Sequence, residues 1–144
     1  MNKSLITEDE QRSLFINHFK NSSTNLYCEV PVFCRSVDLV KYNSCNHTIS
    51  AIEFKLTDWK RVINQVLNVS ISFDFLEICI SEPKTAKSKN LIIKKCEDLG
   101  LGLYFFNHEN VSFVYSVLPK KVEKSWGIQK EQILKYIEGV KIDG

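Results

Sequence analysis

The sequence predicts an α/β fold, a mixed β-sheet flanked by helices. Three observations carry that prediction. Several short segments rich in β-branched and aromatic residues are separated by turn clusters. Stretches with helical apolar periodicity alternate with them. The first three strands run consecutively, and a strand–helix–strand crossover follows, which implies antiparallel and parallel pairing in one sheet with helices on both faces. The chain has 144 residues, 44% of them hydrophobic and 25% charged, the size and balance of one globular domain. Residues 1–144 are therefore read as one domain, with a core over about 7–117 and a basic connector and helix over about 118–144.

Each element has its own signal. Thr7 with Glu10 is a capping-box pattern that opens a helix to about Lys20, with Leu14, Phe15, His18 and Phe19 along its inner face. Asn21-Ser22-Ser23 breaks it. Leu26–Phe33 and Val37–Tyr42 are strand-like, and Asn43–Asn46 is a turn. Thr48–Leu56 has the strongest strand propensity; Ile52, Phe54 and Leu56 share one face, while Ile49, Ala51, Glu53 and Lys55 share the other. Thr57 is taken as the N-cap of a helix to about Val69 that buries Trp59, Val62, Ile63, Val66 and Leu67. Phe73–Ile80 is a buried strand and Ser81–Ser88 a polar loop. Asn90–Leu99 is helical, with Gly100 closing it. Leu103–Phe106 and Val111–Val117 pair across a turn, Pro119–Gly127 is the basic connector, and Ile128–Glu138 is the last helix.

Composition narrows function. No apolar run of about 18 residues exists, so no membrane span is expected. Met1–Glu10 lacks an apolar signal region, and the five cysteines form no C-x-x-C pair. A cytoplasmic chain is expected, with Cys28 and Cys79 as small core residues. The net charge of +2 neither announces nor excludes nucleic acid. There is no phosphate-binding G-x-x-x-x-G-K-[ST] loop and no G-x-S-x-G elbow, and His18, His47 and His108 show no metal-ligand spacing.

The chemistry-bearing constellation lies on two strands. Glu53 and Lys55 stand inside the best strand, two positions apart and so on one face, where charges are rarely buried without partners. Asp38 is the only acid of the preceding strand. With the turn centred near Cys45, Asp38 opposes Ile52 or Glu53, and the Glu53 register puts both acids on one face. Two carboxylates of this kind suit Mg²⁺, leaving positions for water and a phosphate oxygen. Such a metal polarises phosphate and activates water near neutral pH, and a neighbouring lysine steadies the charge that develops.

Asp38, followed by Glu53-Phe54-Lys55 on the next strand, resembles the core of the PD-(D/E)XK nuclease superfamily, the restriction-endonuclease-like fold. The preceding helix, the acid-bearing hairpin and the helix directly after Lys55 agree with it, over about residues 7–117. The resemblance implies a DNA nuclease using Mg²⁺ (or Mn²⁺). Asp38 and Glu53 would ligate the metal, the Phe54 carbonyl would be a third ligand, and Lys55 would be the active-site lysine. Gln65 would support the site from the following helix. Glu29 is preferred to Glu8 and Glu10 as an upstream supporting acid, because it stands in the strand next to that of Asp38. Val37 replaces the namesake proline, and Val69 stands where a tyrosine often follows the helix glutamine.

Lys60 and Arg61 on the following helix are candidate phosphate contacts, or simply its wet face. The same two readings apply to Lys84, Lys87, Lys89, Lys94 and Lys95, and to Lys120, Lys121 and Lys124. The alternative function is a non-catalytic module of the same fold that binds nucleic acid or a protein partner. Long apolar strands could also support a homodimer.

Overall fold

In the computed structural model, residues 6–20, 24–33, 35–123 and 127–139 are described. Six strands form one sheet in chain order. Helix α1 (Glu8–Phe19) precedes β1 (Thr24–Val32), β2 (Arg35–Asn43) and β3 (Thr48–Lys55), which pair as an antiparallel meander. Helix α2 (Trp59–Leu67) crosses to β4 (Phe75–Ser81), parallel to β3, and α3 (Ala86–Leu99) crosses to β5 (Gly102–Asn107), parallel to β4. Strand β6 (Ser112–Val117) returns antiparallel to β5, and α4 (Gly127–Gly139) closes the chain. The α/β class with a mixed, helix-flanked sheet is thus the one the sequence predicts.

The alternation of β3 divides two cores, as its period of two requires. Ile49 and Ala51 pack with Val62 and Val66 of α2, Ile92 of α3, and Ile133 and Ile137 of α4. Ile52 and Phe54 pack on the other face with Phe15 of α1, Leu39, Cys79, Tyr104 and Phe106. Phe15 anchors that face through edge-on contacts, 5.3 Å from Phe54 and 4.9 Å from Tyr104 between ring centres.

Several local expectations are corrected. Asp58, not Thr57, caps α2: its carboxylate accepts from the Arg61 amide at 3.2 Å. The helix ends at Leu67, and a 3-10 turn, Ser70–Ser72, leads into β4. Thr85 caps α3 by accepting from the Ser88 amide at 3.2 Å, so the helix starts well before the expected Asn90. Gly100 ends α3 in the left-handed region at φ 72°, as its sequence position suggests. Cys79 is buried, but Cys28 is exposed, because β1 is an edge strand and its backbone turns to φ 51° at the next residue, Glu29. The Asn21–Ser23 break, Cys34 and Lys124 lie outside the described residues.

Two buried acids in β4 and the loop before it escaped the apolar-run reading. Asp74 is 3% exposed; its Oδ2 accepts from the Ile49 amide at 2.9 Å and meets Lys130 Nζ at 2.8 Å, which ties α4 to the sheet. Glu77 is fully buried, with Lys41 Nζ at 2.8 Å from Oε1 and the Tyr115 hydroxyl donating to Oε2 at 2.8 Å. Gly102 sits against this cluster: a Cβ there would lie 2.8 Å from Glu77 Cγ. Among the described residues no helix is long and apolar enough to cross a membrane.

Candidate functional site

The site forms where β2 and β3 part. Their last backbone pair is Leu39 with Ile52, so the Glu53 register holds, with Asp38 at the next step opposite Glu53. There, side chains take over from the ladder. The Phe54 amide donates to Asp38 Oδ2 at 2.8 Å, and the Asp38 amide donates to Glu53 Oε1 at 3.3 Å. Each carboxyl is held by the other strand's backbone, which fixes both without a helix or a loop.

Glu53 is only 6% exposed. Burial pushes its carboxyl up to about 8, the neighbouring Asp38 charge pushes it the same way, and Arg35 opposes them. Gln65 of α2 faces Glu53 across a cavity of 150 Å³ that Arg35, Ser36 and Val69 complete. The structure therefore brings Asp38, Glu53 and Gln65 together.

Lys55 ends β3, and its ammonium lies 3.7 Å from Glu8 Oε1 of α1 rather than against either acid of the hairpin. Glu29 opposes Asp38 between the paired positions Cys28–Leu39 and Val30–Val37, in the left-handed backbone noted above. Its carboxylate meets Arg12 at 3.6 Å. Arg12 also reaches the Asp38 carbonyl at 3.5 Å, so α1 braces the acid-bearing strand through a residue the sequence reading did not single out. The available signal was its place one helical turn before Phe15. Gln11, beside it, is completely buried, and neither end of its amide has a hydrogen-bond partner among the described residues. Thr7 caps α1: its hydroxyl accepts from the Glu10 amide at 3.2 Å and donates to the Glu10 carboxylate at 3.1 Å. Lys60 and Arg61 are exposed on the first turn of α2, with the Lys60 ammonium 5.6 Å from the Trp59 ring centre.

No group of three or more His, Cys, Asp or Glu side chains that could hold a metal occurs among the described residues. Mg²⁺, however, is commonly held by one or two carboxylates and completes its shell with water and phosphate oxygens. Asp38 and Glu53 supply two carboxyls fixed on adjacent strands, the number that requirement asks for.

No protein-family model matches the sequence, and no curated protein does. Among solved structures, the chain is similar to a protein of unknown function from Silicibacter pomeroyi, with a TM-score of 0.55 and 12% identity over 85% of this chain and 86% of that one. That likeness extends to the fold.

Proposed function

We propose that the protein is a metal-dependent nuclease that hydrolyses phosphodiester bonds in DNA, in the manner of PD-(D/E)XK enzymes. One observation carries the reading: Asp38 and Glu53 interlock across the parting strands β2 and β3, with Lys55 two residues further along. Asp38 and Glu53 would hold Mg²⁺ or Mn²⁺, which when bound supplies a Lewis acid for the scissile phosphate. Lys55 turns from Glu8 to the phosphate oxygens and steadies the charge that develops there. Gln65 orients Glu53 across their shared cavity. Glu29 supports the site indirectly, by holding Arg12 against the Asp38 carbonyl. Lys60 and Arg61 offer exposed cations for flanking phosphates.

The test is cleavage of plasmid, linear, single-stranded and branched DNA with Mg²⁺ or Mn²⁺. Wild-type protein is expected to cut at least one substrate, while Asp38→Ala and Lys55→Ala lose cleavage and keep the wild-type circular dichroism spectrum. Full activity in either variant would overturn the assignment.

A second reading, a non-catalytic module that binds nucleic acid or a protein, draws support from the Lys55–Glu8 ion pair, which occupies the ammonium away from the acids. It predicts DNA retention in gel-shift experiments with no strand scission at any metal concentration.

A further inference from the structure

We infer that the cleft beyond the carboxyl ends of β3, β4 and β5 is a pocket for a single unstacked nucleobase, so that the substrate is unpaired nucleic acid. The ligand choice rests on the nuclease reading; the pocket itself does not. Ligands in open α/β sheets bind outside the carboxyl ends of the parallel strands, and all three parallel strands end here. The cavity holds 480 Å³. Leu56, Trp59, Ile80 and Ile92 give it an apolar wall, and Ser81 and His108 stand together among its lining. Ser81 Oγ and His108 Nε2 are hydrogen-bonded at 2.7 Å, a donor–acceptor pair able to reorganise toward the edge of a heterocycle. An aromatic ring on an apolar wall, with a few convergent polar groups, is how proteins take a base out of its stack.

The placement relative to the acids supports a nucleotide over a generic ring. Leu56 directly follows Lys55, and Ile6, which also lines the cavity, lies two residues before Glu8, the partner of Lys55. Lys55 itself does not line the cavity; its ammonium is held by Glu8, two residues along the chain from the lining residue Ile6. From Glu53 to Leu56 is about 10 Å at the strand rise of about 3.3 Å per residue. A nucleotide whose phosphate lies near Asp38 and Glu53 thus has a neighbouring base within reach of the cleft. A base held there cannot be paired, so single strands, frayed ends or flaps fit, and continuous duplex does not.

The experiment uses the full chain carrying Trp126→Phe, in EDTA, with Trp59 fluorescence as the readout. The probes are dAMP, dTMP and 2-deoxyribose 5-phosphate. The two nucleotides are expected to quench Trp59 saturably, and the sugar phosphate is not. Ser88→Phe, placed on the exposed rim, fills the cleft without entering the core and should weaken nucleotide binding about ten-fold or more, the scale of one lost base stack. Ser81→Ala should weaken it several-fold. Equal quenching by 2-deoxyribose 5-phosphate, absence of quenching at millimolar nucleotide, or unchanged binding in Ser88→Phe would each overturn the pocket. Glu53→Gln is expected to retain quenching while losing cleavage, which separates failure of the pocket from failure of the nuclease reading.

Discussion

Glu53 is where the energetics of the site are concentrated, because its carboxyl is buried against a second acid. Its ordinary value is 4.5 and its folded value about 8, so between those values the folded state holds a proton that the unfolded chain has released. Stability from this group is fully present below about pH 4.5, falls as pH rises toward about 8, and is flat beyond. Wild-type melting temperature is expected to drop from pH 5 to pH 8 relative to Glu53→Gln, by the equivalent of a few kcal/mol. Parallel pH profiles for the two proteins would contradict this. Gln11 poses the opposite problem, an amide buried with no partner among the described residues. Gln11→Met should raise stability by about 1–2 kcal/mol in denaturant titration, since an unsatisfied buried amide costs about that much. At this scale the sequence showed which residues carry charge but not which charges are buried. Asp74 and Glu77 were not singled out within the Phe73–Ile80 run, because their partners Lys130, Lys41 and Tyr115 come from distant segments.

Elements were more legible than their ends. The two faces of β3 follow from its alternation alone, whereas placing the turn near Cys45 left Asp38 opposite Ile52 or Glu53, and only the Leu39–Ile52 pairing selects Glu53. Caps were less legible where two capping residues stand together, as with Thr57 and Asp58, since only the backbone decides which one faces the free amides. The exposure of Cys28 depended on β1 lying at the sheet edge, which no local pattern reveals. The last helix, which lies beyond the part of the chain that the resemblance covers, is held by the Lys130–Asp74 ion pair as well as by Ile133 and Ile137. Lys130→Met should destabilise the protein by about 3 kcal/mol, because it leaves the Asp74 carboxylate buried without its cation. A chemical-denaturation midpoint equal to wild type would show that α4 contributes little. Gly102→Ala should destabilise by about 1–3 kcal/mol, since the new methyl enters the space of the fixed Glu77 side chain.

At the scale of the whole molecule, the topology places one mixed sheet between α1 on one face and the other three helices on the opposite face, with the acids and the base cleft toward the carboxyl end of β3. Helix α1 does more than cover a core: Glu8 and Arg12 bring it to Lys55 and to the Asp38 strand. The proposed function depends on Asp38 and Glu53 acting as a cation site. Its most direct test is Mn²⁺ binding to the full chain at pH 7.5, followed by calorimetry for wild type and Glu53→Gln. Saturable binding of Mn²⁺ by the wild type, lost or strongly weakened in the variant, is the predicted result. Equal binding by both proteins, or none by either, would contradict it.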